Sequence, residues 1–124
     1  MIDFKNSSFL KLKPVNPNEG LSLVQPMLID SEEIFATFKT VRDMVVFTNK
    51  RVIAVNVQGI TGSKKDFTSL PYSKVQAFSV ETAGALDLDC EIDLWFSGLG
   101  NVRFEIKGNF DIRSFNKLIG QYVL

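Results

Sequence analysis

Between residues 32 and 108 the chain carries seven short runs of apolar and polar side chains that follow a period of two. The runs are EIFATFK, MVVFTN, RVIAVNVQ, KDFTSL, VQAFSVET, CEIDLWF and NVRFEIK. β-Branched and aromatic residues dominate them, and turn sequences such as TVRD and SGLG separate them. The pattern predicts about seven antiparallel strands at the spacing of an all-β barrel or sandwich.

The segment before these strands divides into an arm and a short helix. In the arm, residues 1–15, Leu10 and Leu12 alternate with lysines, which indicates a short strand or an ordered arm. Residues 16–28 begin with Asn-Pro, where Asn16 can cap a helix and the proline suits its first position. We therefore expect a short helix between the arm and the first long strand.

The last stretch, residues 109–124, has apolar residues at intervals of three and four. Asn109 or Asp111 can cap its start. The apolar face consists of Ile112, Phe115, Leu118, Ile119, Tyr122 and Val123. This period predicts an amphipathic α-helix that packs on the strands, so that residues 1–124 form a single mainly β domain.

The composition excludes some classes of function. At 124 residues, of which 45% are hydrophobic, the chain fits one domain with its own core. Its 14 basic and 14 acidic side chains give a formal net charge of zero. This balance argues against a nucleic-acid binder and weakens a purely electrostatic attachment to an anionic membrane. A neutral chain is also prone to associate with itself.

Catalysis and metal binding have few suitable side chains here. The chain has no histidine, the commonest general base and metal ligand, and Cys90 is its one cysteine. We therefore expect no enzyme activity, no metal and no cofactor. A lone cysteine permits a reducing compartment, and no run is apolar enough for a signal peptide or a membrane span. The predicted location is the cytoplasm.

The stretch GITGSKK, residues 59–65, could form a phosphate-binding loop, because glycines precede two lysines. A P-loop requires four residues between its first glycine and Gly-Lys-Ser/Thr, and a helix afterwards. Gly59 and Gly62 are separated by only two residues, and the KDFTSL that follows is strand-like. We favour a β-turn in which the glycines supply positive φ angles.

Four acidic residues are spaced by two around the sixth run, and on a strand they would share one face. They are Asp87, Asp89, Glu91 and Asp93, and the core face would hold Leu88, Cys90, Ile92, Leu94 and Phe96. Acids two apart on a strand lie about 6.5–7 Å apart, which is compatible with a catalytic carboxylate pair. Such a pair needs a cleft that no pattern indicates. We favour a solvated face whose acids pair with Arg103 and Lys107 on the next strand.

Trp95 has the same parity as the four acids, so it is predicted to point outward with them. An exposed tryptophan beside charged side chains is typical of an interface. Cover by the terminal helix or by a loop is the alternative, and the sequence does not choose between the two.

Basic residues stand at two other turns, Lys50 and Arg51 at one and Lys64 and Lys65 at the other. Each pair alone is ordinary for the end of a hairpin. Together with the acidic strand, they place opposite charges on different parts of one neutral molecule. This arrangement suits a head-to-tail contact between copies, which can close into a ring.

Several motifs resemble the bacterial pleckstrin-homology (PH) domain family. They are TNKR (residues 48–51), QGITG, the SLPYSK corner, and ETAG followed by DLD. The resemblance runs from about Glu32 to the C terminus, and the short helix before it also fits. It implies a PH-like barrel of two nearly orthogonal sheets, capped at one end by the C-terminal helix. The N-terminal arm takes no part in it.

The family resembled is non-enzymatic, and its single-domain members form dome-shaped cyclic rings, typically pentameric, so the resemblance implies both properties for this chain. A polar surface where strands of adjacent protomers meet would bind other proteins. On this sequence that surface would draw on Thr48, Lys50, Arg51, Glu81, Thr82, Asp87 and Asp89. From the charge and parity arguments we add Glu91, Asp93 and Trp95 to the predicted protein-binding or inter-protomer residues.

The alternative function is binding of a lipid headgroup or membrane surface through Lys39, Arg42, Lys64 and Lys65. The loop that holds inositol phosphates in eukaryotic PH domains is here only TVRD, which argues against this alternative. A small hydrolase is a third class, but the sequence shows no nucleophile–base pair. The leading prediction is a non-catalytic module that forms a ring with itself and binds an unknown protein.

Overall fold

The computed structural model describes residues 4, 11–86, 88–108 and 110–124, and these residues form eight strands and two α-helices. In chain order the elements are β1 (Lys13–Val15), α1 (Pro17–Val24), β2 (Ile34–Lys39), β3 (Met44–Thr48), β4 (Arg51–Gln58), β5 (Lys64–Pro71), β6 (Val75–Glu81), β7 (Cys90–Phe96), β8 (Gly100–Ile106) and α2 (Ile112–Val123). Short 3₁₀ turns follow α1 at Gln25–Met27 and β5 at Tyr72–Lys74. The predicted mainly β fold with a helix at each end is confirmed, and the seven predicted strands are β2 to β8.

The strands form two antiparallel sheets. A five-stranded sheet has the order β1-β2-β3-β4-β5, and a three-stranded sheet has the order β6-β7-β8. The turn between β4 and β5 contains Gly59 and Gly62 at φ angles of 79° and 70°. The interpretation of GITGSKK as a glycine turn is therefore confirmed.

The N-terminal arm connects the two sheets and supplies the strand that the sequence analysis did not count. β1 pairs with β2, while the preceding Leu12 lies beside β8. The N–H of Leu12 donates to the carbonyl oxygen of Glu105 at 3.0 Å, and its own carbonyl accepts from the N–H of Lys107 at 2.9 Å. Leu12 is fully buried, whereas Leu10 lies outside the described residues. Within the described part of the arm, Lys13–Val15 thus form a strand and Leu12 forms a bridge to the other sheet.

The second helix covers the aromatic end of the core. Phe115 packs edge-to-face against Phe47, with ring centroids 4.9 Å apart. Ile112, Phe115 and Ile119 are buried, which confirms the predicted apolar face at these positions. Asp111 caps the helix by accepting a hydrogen bond from a backbone N–H of the first turn at 3.1 Å. The other predicted cap, Asn109, lies outside the described residues.

The first helix lies on the outer face of the five-stranded sheet. Its capping residue is Asn16, as predicted, because the Asn16 side chain accepts from a first-turn N–H at 2.9 Å. The helix can approach closely because of Gly20, where a Cβ would stand 2.6 Å from Oγ1 of Thr37. The contact buries an apolar cluster of Val24, Val46, Ile53 and Val55. Within the described residues, neither helix is long and apolar enough to span a bilayer.

Candidate functional site

One face of the three-stranded sheet packs on the core, and the opposite face points away from it. On the core side, Cys90, Ile92, Leu94 and Phe96 are buried as predicted. Leu88 was wrongly assigned to the core, because it precedes β7 and is 61% exposed. The opposite face, called the outer face below, consists of Ala77, Ser79, Glu81, Glu91, Asp93, Trp95, Asn101, Arg103 and Glu105.

The acids of β7 and of the loop before it pair with basic residues, as the sequence predicted. Nε of Arg103 lies 2.9 Å from Oδ1 of Asp93, and Nη1 lies 3.8 Å from Oε2 of Glu91. Lys107 contacts Asp89 in the same way. The hydrogen bond to Asp93 raises the pKa of Arg103, and the hydrogen bond to Asp89 raises the pKa of Lys107. Much of the negative charge here is therefore neutralised within the chain.

Asp93 is less accessible than the prediction of a solvated face requires. Its carboxylate accepts hydrogen bonds from Arg103 and from Nδ2 of Asn101, and the residue is only 8% exposed. A freely solvated face is thus the wrong description at this position. Asp89 lies just before β7 rather than within it, and Asp87 lies outside the described residues.

Three glutamates form a row across the outer face, called the glutamate ladder below. The strand register places Glu81 opposite Glu91, and Glu91 opposite Glu105. Like charges directly opposite one another destabilise a sheet. Burial raises the pKa of Glu91, the charge of Arg103 opposes this increase, and Glu81 and Glu105 add to it. The net increase shows that the ionised carboxylate is disfavoured at this position.

The sequence analysis missed Glu105. The SGLG hairpin sets the register between β7 and β8, and that register would have placed Glu105 opposite Glu91. A register derived from the turn was therefore the signal that could have found the third member of the ladder.

Trp95 points outward, as its parity predicts. It lies between Ala77 on β6 and Asn101 on β8 and is 47% exposed. Beside it, Oδ1 of Asn101 is buried and has no hydrogen-bond partner among the described residues. The outer face thus presents a half-exposed aromatic ring next to an unsatisfied acceptor, and whether a partner covers them stays a prediction.

The TNKR turn places its three predicted residues in different environments. Thr48 is fully buried, Arg51 is mostly buried and Lys50 is exposed. The buried carboxylate of Glu32 accepts hydrogen bonds from Nε of Arg51 at 2.9 Å and from Oγ1 of Thr48 at 2.7 Å. Burial raises the pKa of Glu32, but these hydrogen bonds and one from the backbone N–H of Ile29 outweigh burial, so the net effect is to lower it.

This Glu32 network connects the turn to the first helix. Nη2 of Arg51 also donates to the carbonyl oxygen of Met27, at the end of the 3₁₀ turn that follows α1, at 2.7 Å. Thr48 and Arg51 therefore contribute to a binding surface only indirectly, because they stabilise the turn that exposes Lys50. The sequence analysis missed Glu32, and no spacing pattern identifies an acid that acts 19 residues away.

Glu81 and Thr82 stand at the end of β6 and are exposed. Thr82 lines a shallow pocket of about 200 Å³ between this strand and the start of α2. The lining residues are Thr82, Ala83, Phe110, Asp111, Ile112 and Arg113. The carboxylate of Asp111 already accepts a hydrogen bond as the cap of α2. The pocket therefore provides a concave surface beside Thr82, but not a free carboxylate.

The four residues of the lipid alternative lie around the turns at residues 40–43 and 59–63. Nζ of Lys39 pairs with Glu19 at 3.2 Å. Nη2 of Arg42 donates to the carbonyl oxygen of Gly59, which joins the two turns. Lys64 and Lys65 are both exposed at the start of β5.

Each of these turns also carries an aliphatic side chain, Val41 in the first and Ile60 in the second. The sequence analysis did not single out either residue. Val41 and Ile60 are both fully exposed. Because Arg42 connects the turns, the two apolar side chains belong to one end of the barrel and are flanked by cations.

Comparisons with known proteins agree with this architecture. A family model described as Bacterial PH domain matches residues 3–123. The match includes most of the arm, which the resemblance was expected to leave out. The structure is similar to a DUF1696 family protein with a pleckstrin-homology domain from Shewanella loihica PV-4, with a TM-score of 0.78 and 37% identity over 93% of this chain and 99% of that one.

Two further proteins extend the comparison. A pleckstrin homology domain from Shewanella amazonensis SB2B has a TM-score of 0.64 and 40% identity over 89% of this chain and 90% of that one. The uncharacterized protein YjqA of Bacillus subtilis (strain 168) is 54% identical over 58% of this chain, and the match spans 58% of the length of YjqA. The two antiparallel sheets, the closing helix and the family match lead to one conclusion: the chain belongs to the bacterial PH domain family.

Proposed function

We propose that this chain is a non-catalytic PH module of the cytoplasm that assembles into a cyclic, pentameric ring and presents a polar surface to a protein partner. One observation carries the proposal: the outer face combines the half-exposed Trp95 with the glutamate ladder. The ladder opposes the stability of the isolated chain, and Arg103 at 3.8 Å from Glu91 and Lys107 at 3.3 Å from Glu105 offset this repulsion only in part. Side chains that break local rules, and exposed tryptophans, are expected at functional surfaces.

The proposed partner surface is composite, because its polar residues come from one turn and from the end of β6 with the loop after it. Lys50 supplies a cation from the TNKR turn, where Thr48 and Arg51 hold it in place. The end of β6 and the loop after it supply Glu81, Thr82, Asp87 and Asp89. A ring would repeat this surface at each protomer junction, and repetition of weak contacts increases the overall affinity.

Light scattering after size exclusion, at low and high salt, tests the assembly. We expect a mass near five times the 13.9 kDa of one chain, decreasing with salt because charged contacts are screened. A ring that resists salt would place the contact on apolar groups such as Trp95. A monomer at every concentration would contradict the proposal.

A test of the partner surface compares the assembled wild-type protein with a Glu81→Ala/Thr82→Ala variant. The variant is used only if light scattering shows that its assembly has the same number of chains as the wild type. A protein that binds at the junctions should be retained by the wild type and lost from the variant. An equal loss from a Glu33→Ala control, which changes an exposed acid elsewhere, would show that the effect is one of charge alone.

The second candidate function is attachment to an anionic membrane, and the exposed Val41 and Ile60 favour it. Aliphatic side chains at the end of a barrel can enter the lipid interface while cations such as Lys64 contact anionic headgroups. Sedimentation with anionic phosphatidylglycerol vesicles tests this function. A Val41→Ser/Ile60→Ser variant should lose binding, and added salt should weaken it. Wild-type protein that stays in the supernatant would exclude the candidate.

A further inference from the structure

Short side chains form an open strip along β6 on the outer face. Ala77, Ser79 and Glu81 alternate on this strand, and all three are exposed. Ala77 lies opposite Trp95 and Glu81 lies opposite Glu91, so the strip has an aromatic ring at one end and two carboxyl groups at the other. Because the side chains of Ala77 and Ser79 are small, the backbone of another molecule can lie close to the sheet between these two ends. The row from Ala77 to Glu81 is called the β6 strip below.

The outer face is acidic, although the whole chain has 14 acidic and 14 basic side chains. Its described residues include the four acids Glu81, Glu91, Asp93 and Glu105 but a single arginine, Arg103. Within this described part of the sheet, Arg103 pairs with Asp93 at 2.9 Å and with Glu91 at 3.8 Å but forms no ion pair with Glu81. The face is therefore complementary to a cation, and it repels nucleic acids and anionic membranes.

The carboxyl end of the β6 strip favours a cation from another molecule. Burial raises the pKa of Glu91 and the charge of Arg103 lowers it, while the charge of Glu81 and a hydrogen bond between the two glutamates raise it further. Two carboxyl groups share a hydrogen bond only when one of them is protonated. A guanidinium between them can instead bond both as carboxylates. A partner cation would thus let both glutamates ionise and would offset the repulsion within the ladder.

The aromatic end of the strip suits the same kind of occupant. The ring of Trp95 is 47% exposed, and the face of an aromatic ring attracts a cation within about 6 Å of its centre. Beside the ring, Oδ1 of Asn101 is buried and has no hydrogen-bond partner among the described residues. An acceptor without a partner costs free energy, which a donor from another molecule would recover. Arginine and lysine supply both the charge and the donor.

The distance between the two ends indicates the conformation of the occupant. Glu91 and Trp95 are four residues apart on β7, which at the rise of a strand is about 13 Å. In another extended segment, side chains four residues apart have this same separation and point to the same side. In an α-helix, residues four apart are separated by only about 6 Å along the axis. The spacing therefore fits two basic residues in an extended segment.

We propose that the outer face binds an extended segment of a partner protein in which two basic side chains, four residues apart, contact Trp95 and the Glu81–Glu91 pair. The segment lies over the β6 strip. This inference rests on the partner-binding part of the proposed function. It extends the partner surface from Glu81 to Trp95 and specifies that the partner is cationic. It does not depend on the number of chains in the assembly.

Calorimetry with synthetic peptides tests the spacing. The probe is a capped peptide of serine and threonine that carries two arginines four residues apart. The matched control has the same composition but carries its arginines three residues apart, so that they point to opposite sides of an extended segment. We expect the probe to bind the wild-type protein at least about tenfold more tightly than the control does, and less tightly in high salt. Equal binding of the two peptides, or no binding of the probe at about 1 mM, would overturn the inference.

Variants of the protein test each end of the strip. Glu81→Gln/Glu91→Gln should weaken binding of the probe about tenfold or more, because the shape is kept while both charges are lost. Trp95→Leu should weaken it about two- to fivefold through loss of the cation–π contact. Glu33→Gln changes an exposed acid elsewhere and should bind the probe as the wild type does. The unfolding midpoint of each variant separates a lost contact from a lost fold.

The outcomes separate this inference from the proposed function. A ring whose chains do not bind the probe would overturn the segment contact and leave the assembly in place. A monomer that binds the probe with the expected preference for spacing would overturn the ring and support the contact. Binding that Glu81→Gln/Glu91→Gln and Trp95→Leu leave unchanged would place the peptide elsewhere and overturn the inference. An equal loss in Glu33→Gln would do the same, because it would show an effect of overall charge.

Discussion

The outer faces of the two sheets differ in what lies on them. α1 covers the five-stranded sheet, and Val46, Ile53 and Val55 beneath it are fully buried. No described helix covers the outer face of the three-stranded sheet, where Trp95 is 47% exposed. The sequences reflect this difference, because β4 is apolar on both faces whereas β7 alternates. A strand that is apolar on both faces needs a cover from its own chain, and an alternating strand leaves one face for other molecules.

Each face also carries an arginine–carboxylate pair, and the two pairs have different roles. The Arg51–Glu32 pair is buried, with side-chain exposures of 19% and 0%, and it holds the segment that follows the cover α1. Arg103, which pairs with Asp93, is 52% exposed. Removal of one partner of a buried pair leaves an uncompensated charge, whereas exposed pairs contribute little. The contrast predicts where substitutions will be costly.

Glu32→Ala should have the largest effect. We expect the free energy of unfolding in urea to fall by about 3–5 kcal/mol, because Arg51 would stay buried without its partner. Since the folded pKa of Glu32 is lowered from 4.5, the carboxylate stabilises the fold fully above about pH 4.5 and loses this contribution as the pH falls through the lower folded value. The exposed Glu33→Ala is the control, with a change within about 0.5 kcal/mol. Equal effects of the two variants would contradict the buried network.

Gly20→Ala tests how closely α1 packs on the five-stranded sheet. The added Cβ would meet Oγ1 of Thr37 at 2.6 Å and Cγ2 of Val46 at 2.9 Å, so we expect a loss of about 1–3 kcal/mol. Gly120→Ala in α2 is the matched control, because its Cβ would have no neighbour closer than 4.0 Å. Removing that glycine should instead gain about 0.5–1 kcal/mol. Both values come from chemical denaturation, and a stabilising Gly20→Ala would mean that α1 is not in close contact with the sheet.

Trp95→Ala should change the stability of a single chain by about 1 kcal/mol or less, because the ring is already half exposed. As the one tryptophan of the chain, Trp95 also reports its own environment. Its fluorescence should be quenched readily by acrylamide in dilute protein and become protected when copies or a partner cover the outer face. A loss above about 3 kcal/mol would show instead that Trp95 is part of the core.

Glu91→Gln should have the smallest effect and the opposite sign. The folded pKa of Glu91 is raised above 4.5. The wild-type protein therefore loses stability as the pH rises from about 4.5 through the higher folded pKa. The variant should therefore be more stable by about 0.2–1 kcal/mol at pH 7, with no difference below about pH 4. Asp93→Asn is the contrasting variant, because it weakens the hydrogen bond from Arg103 and should destabilise the sheet. A pH-independent gain for Glu91→Gln would remove charge as its cause.

The sequence predicted those features that depend on periodicity. Strand parity separated the buried Ile92 and Leu94 from the outward Trp95, and the helical period found Phe115 and Ile119. Parity does not say where a strand begins, which is why Leu88 was assigned to the wrong environment. The Glu32–Arg51 pair depends on how the segment after α1 packs against the β3–β4 turn. Such long-range contacts have no local pattern in the sequence.

The position of Leu12 affects how the chain can fold. Its backbone joins the edge of β8 between Glu105 and Lys107, so the first strand and the last strand must meet before the barrel is complete. Contacts between distant parts of a chain slow folding, because loop-closure entropy must be lost before they form. On a ribosome, the arm would therefore emerge early and wait without its partner until almost the whole chain has been synthesised.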